Sequence, residues 1–223
     1  MDKEKVRYSQ QLYLASQSPR RRMMLAWLGI PFQATSAHLD ETPYPDEKPA
    51  ALVVRLARQK ARAVDGAGTE VLVLAADTVV ELNERALGKP PNAEAARAML
   101  RRLRAAPHRV HTGVALYAPA TGRTITRRVT TTVQMRAYSD AEIEAYLASG
   151  DPFDKAGSYA IQHAGFHPVQ ELACCYANVV GLPLCAVAAL LESSGLEISP
   201  QLPALCYQHF GYLCPAPDRG ILL

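Results

Sequence analysis

The chain has 223 residues, 49% of them hydrophobic and 20% charged, with a formal net charge of +3. At ~100 to 200 residues per domain this is one large domain or a compact two-lobed one, long enough to bury ~70% of its unfolded surface without staples. Near-average composition excludes wholesale disorder and collagen-like repeats. The most apolar windows, Val71 to Ala76 and Val179 to Leu191, fall short of the ~20 residues of a membrane-spanning helix.

The polar stretch Met1 to Gln11 reads as an N-terminal extension without the apolar segment of a secretory leader, so a cytoplasmic location is expected. Leu12 to Ala15 is a short strand. Ser18 followed by Pro19 then starts a helix, with an N-cap hydroxyl and a proline at the first helical position. That helix buries Met24, Leu25 and Leu28 and stops at Gly29. A longer helix spans about Pro49 to Val64, with Leu52, Val53, Leu56 and Ala57 in one stripe and Arg55, Arg58 and Arg62 elsewhere. The unbroken apolar run Val71 to Ala76 predicts a central strand. Asn92 caps a helix carrying Met99, Leu100 and Leu103.

After Pro107 the period becomes two, and Gly113 to Ala118 and Arg123 to Arg136 read as strands paired around Thr121-Gly122. Ser139 and Glu142 form a capping box for a short helix ending at Gly150. Ser158 to Gln162 and Val169 to Ala173 read as further strands, and Pro183 opens a helix lined by Leu184, Val187, Leu190 and Leu191. Alternating strands and helices imply an α/β or α+β domain over residues 12–194. Residues 195–223 form a Pro-rich, aromatic tail of low charge, whose Pro200, Pro203, Pro215 and Pro217 with Tyr207, Phe210 and Tyr212 suggest a strap docked on the core or on a partner. Five cysteines lie in the last quarter, with no Cys-x-x-Cys pair to support a zinc or thioredoxin motif; mostly buried, reduced thiols are expected.

Polar residues collect at the ends of these elements, where loops carry function. Ser16-Gln17-Ser18-Pro19-Arg20-Arg21 offers two hydroxyls, free N–H groups, a helix N-terminus and two guanidinium groups to an anion such as phosphate. From this segment alone, a capped helix with solvated arginines reads equally well. Asp77 follows the central apolar run, so its carboxylate is expected at the carboxyl end of a strand, where it can take a proton from water or ligate a divalent cation. A turn-capping aspartate is the structural alternative. Lys89 sits in a Gly88-Lys89-Pro90 turn, Asp40-Glu41 in an acidic loop, and Lys60 on the second helix. Asp154 and Lys155 pair opposite charges in a turn leading to Gln162, an arrangement more often structural than functional. His108 and His111 are three residues apart, so β structure turns their rings to opposite faces and argues against a metal pair.

In this order the segments resemble the Maf family of nucleoside triphosphate pyrophosphatases. The resemblance runs through Leu-Ala-Ser-Gln-Ser-Pro-Arg-Arg (14–21), Asp-Glu (40–41), Leu-Ala-Arg-Gln-Lys-Ala (56–61), Ala-Asp-Thr-Val-Val (76–80) and Gly-Lys-Pro (88–90). It continues through His-x-Val-x-Thr (108–112), Asp-Lys-Ala-Gly-Ser-Tyr-Ala-Ile-Gln (154–162) and Val-Val-Gly-Leu-Pro-Leu (179–184). It implies a two-lobed α/β fold, a mixed twisted sheet with flanking helices and a central cleft, that cleaves a nucleotide between its α and β phosphates. By resemblance Asp77 is the catalytic base, while Arg20, Thr78 and Gln162 bear on substrate choice. Asp77-Thr78 and the 154–162 segment are similar to the branch acting on dTTP and UTP.

On that basis Glu41 and Asp77 are expected to hold Mg2+ or Mn2+. Arg20, Arg21, Lys60 and Lys89 would neutralise the triphosphate, Ser16 and Ser18 would bind phosphate, and Asp154 and Lys155 would organise the far side of the cleft. The expected partner is a small nucleotide rather than nucleic acid or membrane, and the resemblance implies a homodimer. Alternatives are a pyrophosphatase for 7-methyl-GTP or another modified purine nucleotide, and a nucleotide-binding module without turnover. Cys174-Cys175 replaces the family's small Gly-Ser before Tyr176, and residues 195–223 have no recognised counterpart. Charge is uneven: residues 1–104 carry 17 Lys and Arg against 12 Asp and Glu, and residues 105–223 carry 7 against 9.

Overall fold

The computed structural model describes residues 11–37, 39–64, 68, 70–198 and 201–214. The N-terminal extension before Gln11, together with Pro200, Pro215 and Pro217 of the tail, lies outside them. In chain order the strands are β1 (Gln11–Ala15), β2 (Phe32–Thr35), β3 (Val71–Leu82), β4 (Arg85–Leu87), β5 (Pro107–Ala118), β6 (Arg123–Met135) and β7 (Val169–Ala173). They form one mixed sheet of order β2-β1-β3-β5-β6-β7, with β4 added beside β3. β1 runs parallel to both its neighbours and the other pairs are antiparallel.

The helices are α1 (Pro19–Ala26), α2 (Pro49–Arg62), α3 (Ala93–Leu103), α4 (Asp140–Ala148), α5 (Tyr176–Val180), α6 (Leu184–Glu192) and α7 (Leu202–Phe210). Their starts follow the sequence signals. The Ser18 hydroxyl accepts from Arg21 N–H, Asn92 accepts from Ala95 N–H, and both halves of the Ser139/Glu142 capping box are formed. Together the sheet and helices make the mixed α/β fold expected from the sequence.

Four expectations are corrected. The central strand does not end at Ala76 with Asp77 at its carboxyl end; β3 continues to Leu82. The cause is its neighbour: β5 pairs with β3 without a break from Val73–Tyr117 to Glu81–Arg109, and Thr78, Val79 and Val80 are β-branched residues that suit a strand. β5 itself begins at Pro107 rather than Gly113.

Ser158 to Gln162 is not a strand. Two 3-10 turns, Asp151–Asp154 and Ala156–Ser158, lead into irregular chain. Gly157 and Ser158 hold φ of 71° and 63°, outside the extended region, and the Gly157 N–H donates to the Gly88 carbonyl at 3.0 Å. A Cβ at Gly157 would stand 2.9 Å from a Val80 methyl, so close packing on β3 selects glycine there. Finally, all five cysteines are half-buried rather than buried. The sequence reading does not include β2, β4, α5 or α7.

The sheet's long strands run through two apolar clusters on the same face. Leu72, Leu74 and Ala76 of β3 join Met24 and Leu25 of α1 and Val187 and Leu190 of α6. Farther along the same strand, Val80 and Leu82 join Leu100 and Leu103 of α3 and Ile143 and Tyr146 of α4. Thr78 lies between them. The opposite face carries α2, whose Ala57 and Ala61 pack on Val71, Val73 and Ala75.

One position lets α2 lie this close. A Cβ on Gly113, the partner of Asp77 on β5, would fall 2.3 Å from the Val53 carbonyl oxygen. Gly113→Ala is therefore expected to lower the unfolding free energy by about 2–4 kcal/mol, because backbone must move. Gly122→Ala, at φ 67° in open space, should cost about 1 kcal/mol. Urea titrations of the two variants check the contrast.

Candidate active site

On one edge β3 is paired with β1 as far as Leu74 and with β4 from Val80 onward. Between them no strand among the described residues pairs with Ala75–Val79, while β5 backs the same stretch on the other side. This notch presents two successive residues, Asp77 and Thr78, toward opposite faces of the sheet. The turn after β1 and the N-terminus of α1 lie next to it.

Asp77 is nearly buried. Its Oδ1 accepts from Lys60 Nζ at 2.6 Å, and the same ammonium lies 2.8 Å from Glu41 Oε1. Lys60 reaches there because α2 packs along this face. Its own side chain is 12% exposed and Glu41 is the more open end of the triad at 56%. Two hard carboxylate oxygens thus converge on one cationic centre. Among the described residues no group of three or more His, Cys, Asp or Glu is placed to hold a metal ion.

Across the notch, Arg21 Nε donates to the Gly181 carbonyl at 2.8 Å and Arg21 Nη2 to Thr78 Oγ1 at 3.0 Å. Burial lowers the pKa of this guanidinium and the nearby charge of Asp77 opposes that shift. Arginine nevertheless remains a cation in proteins. Thr78 Oγ1 lies 2.9 Å from Thr112 Oγ1, whose hydroxyl donates to the Asn178 carbonyl at 3.0 Å. Asn178 Nδ2 in turn donates to Thr131 Oγ1 and to the Val110 carbonyl, both at 2.9 Å. This buried polar row crosses the sheet between the two apolar clusters. Gly181 keeps φ at 117° with Thr78 Oγ1 and Arg21 packed against it.

The Ser16 hydroxyl accepts from Ser18 N–H at 3.2 Å, which folds the turn, while Ser18 caps α1. Arg20 Nη1 points to the other wall and meets Asp154 Oδ2 at 3.3 Å. Asp154 also accepts from Lys155 Nζ at 2.6 Å. Lys155 donates further to the Asp151 side chain and carbonyl, and the Tyr146 hydroxyl donates to Asp151 at 2.7 Å. Asp154 and Lys155 are therefore joined to both the first turn of α1 and the α4 side of the sheet.

The structure thus brings together Ser16, Ser18, Arg20, Arg21, Glu41, Lys60, Asp77, Thr78, Asp154 and Lys155. Lys89 and Gln162 lie on exposed turns, and neither has a hydrogen bond or ion pair to this group among the described residues. Thr112, Thr131, Asn178 and the Gly181 carbonyl were not singled out from the sequence for a part in the site. The available signal was polar residues inside otherwise apolar strand and helix segments.

His108 and His111 do face opposite sides of the sheet. His108 Nε2 lies 2.7 Å from the Tyr159 hydroxyl, while His111 Nε2 lies 2.8 Å from Glu81 Oε2 and Nδ1 2.8 Å from Thr130 Oγ1. Arg109 also pairs with Glu81. These groups hold the segment near Tyr159 and the far end of β3.

A family model described as Maf-like protein matches residues 11–194. A dTTP/UTP pyrophosphatase of Thermomicrobium roseum is 49% identical over 207 residues, covering 88% of this chain and 92% of the relative. Proteins of the same name from Anaeromyxobacter dehalogenans and Salinibacter ruber are 47% and 48% identical over 194 and 188 residues. They cover 86% and 84% of this chain, and 98% and 92% of their own lengths.

Burial pushes the His108 imidazole down to about 4, from an ordinary value of 6.5. Its folded form is neutral where the unfolded chain would already bind a proton. The stability this represents is present above pH 6.5 and lost as pH falls toward 4, with a total of roughly 3 kcal/mol. Urea unfolding from pH 7.5 to 4 should show this loss, and His108→Gln should reduce the slope in that window, leaving the part due to His111, which burial also lowers.

Proposed function

This chain belongs to the Maf family, and on that premise we propose that it hydrolyses dTTP and UTP to the monophosphate and pyrophosphate. The observation that carries the reading is the notch itself. One nearly buried carboxylate, Asp77, pairs with Lys60 and lies within electrostatic reach of Arg21, and the next residue, Thr78, is bonded to Arg21 at the start of α1, so a polyanion and a proton acceptor are served at one place. The pyrimidine preference rests on the names of the relatives and on Thr78 and Gln162.

In this mechanism the triphosphate lies across the mouth of the notch, with its charge offset by Arg20, Arg21, Lys60 and Lys89. Ser16, Ser18 and the first N–H groups of α1 hold phosphate oxygens. Asp77 orients a water in line with the α phosphorus and takes its proton as the O–P bond forms, and pyrophosphate leaves. Positioning and charge neutralisation supply most of the rate in such phosphoryl chemistry. The Gln162 amide faces the O4 and N3–H edge that thymine and uracil share. Asp154 and Lys155 fix the wall that carries it.

Glu41 and Asp77 are also the residues that would hold Mg2+ or Mn2+. Their fit is the convergence of two oxygen donors on one cationic centre, a carboxylate set that suits these ions when substrate phosphates and water complete the shell. The ion would supply charge neutralisation of the phosphates. Residues 12–194 are the catalytic unit in this reading. A homodimer accompanies it on the strength of the family resemblance, and a cytoplasmic location and a small nucleotide in place of nucleic acid go with this reading.

Pyrophosphate release over a panel of dTTP, UTP, 7-methyl-GTP and ITP should be fastest with the first two; preference for 7-methyl-GTP would place the chain in another branch. Asp77→Asn removes the proton acceptor while keeping the shape, and kcat is expected to fall by ~10²–10⁴. Intact turnover in that variant would refute the base assignment. Absence of turnover on every nucleotide, with binding preserved, would favour a binding module.

A further inference from the structure

The family match stops at residue 194, and two of the five cysteines lie beyond it. The tail nevertheless comes back to the core. His209 stacks on Trp27 with ring centroids 3.8 Å apart, Phe210 packs on Trp27 and Tyr176, and the Tyr212 hydroxyl donates to the Leu172 carbonyl at 2.9 Å. At that junction Cys175 and Cys185 of the core and Cys206 and Cys214 of the tail line a single void of about 10 Å³. The Cys214 thiol also donates to the Cys174 carbonyl at 3.7 Å. That carbonyl belongs to the peptide group leading into Cys175, so the Cys214 thiol sits beside Cys175 at the void.

We propose that Cys175 and Cys214 are a redox modification site, forming a reversible disulfide that latches the tail to the core. The oxidant is a low-molecular-weight disulfide of the glutathione class. The Cys214 thiolate, formed by loss of one proton, attacks one sulfur of that disulfide, giving a mixed disulfide and releasing one small thiolate. The Cys175 thiolate, formed by loss of a second proton, then attacks the Cys214 sulfur, forming the internal S–S bond and releasing the second small thiolate. The two released thiolates take up the two protons, so one small disulfide is reduced to two thiols for each internal bond made.

The Cys214 bond to the peptide group before Cys175 favours this pair, and the contacts of His209, Phe210 and Tyr212 keep the two segments together before any bond forms. Burial pushes the Cys175 and Cys185 thiols up, and Cys206 up to about 12. Exchange at neutral pH is accordingly slow, on a scale of minutes to hours. The latch would clamp α7 against two helices at once. Trp27 ends α1 and Tyr176 begins α5, and the opposite ends of those helices supply Arg21 and its Gly181 acceptor.

The test incubates the full chain with oxidised glutathione or with dithiothreitol and maps its peptides without reduction. A Cys175–Cys214 cross-linked peptide is expected in the parent chain and in Cys206→Ser, and not in Cys214→Ser. Oxidation should raise Tm by ~5 °C or more in the first two, reversed by dithiothreitol. A Cys185–Cys206 link, glutathione adducts alone, or fully reduced chain after several hours would each overturn the proposal. So would a Cys175–Cys214 link that leaves Tm unchanged.

Discussion

The Arg21 guanidinium is the point on which the centre of the molecule turns. A half-buried cation wedged between packed elements must be neutralised or well hydrogen-bonded, because desolvation is costly otherwise. Arg21 is met by a backbone carbonyl from one helix end and a hydroxyl from the central strand. Those two acceptors are themselves fixed. The carbonyl belongs to a left-handed glycine that ends α5, and the hydroxyl opens the polar row through Thr112, Asn178 and Thr131. An arginine on α1 is thereby connected to β3, β5 and β6, and the two apolar clusters meet along a hydrogen-bonded seam instead of merging.

The second organising feature is the order of charges across the notch. Lys60 stands between Glu41 and Asp77, and Asp154 stands between Arg20 and Lys155. In the first set Lys60 and Asp77 are shielded and Glu41 is open, whereas in the second Lys155 is shielded and Asp154 is the most open member. Exposed ion pairs of this kind contribute little to stability, so Arg20–Asp154 and Lys60–Glu41 can exchange partners at small cost when an anion or a cation arrives.

Much of this was legible in the sequence because it depends on local signals. N-cap hydroxyls at Ser18 and Ser139, the Asn92 cap and the apolar stripe of α2 each specify an element within a few residues. Ten residues of the candidate site, from Ser16 to Lys155, were legible through the run of family-like segments, whereas Lys89 and Gln162 stand apart from that group. What escaped was set by neighbours distant in the chain. Whether β3 stops at Asp77 is decided by β5, whose Gly113 lies opposite it, and Ser158 to Gln162 is kept from forming a strand by the turn at Gly157, which packs on Val80. The role of Asn178 was hidden for the same reason, since its hydrogen-bond partners lie on β5 and β6.

Three strands, β3, β5 and β6, pass uninterrupted from one apolar cluster into the other. A clamshell enzyme opens about flexible connections between its halves, and such a hinge has nowhere to sit when the connections are twelve- and thirteen-residue strands laced edge to edge. The sheet acts as a spine. Access to the notch must then be governed by side chains and turns at its rim, chiefly the Arg20–Asp154 contact and the segments around Glu41 and Lys89. Motion of that kind is short-ranged and fast, in the nanosecond to microsecond range of loops and not the slower regime of whole-lobe rotation.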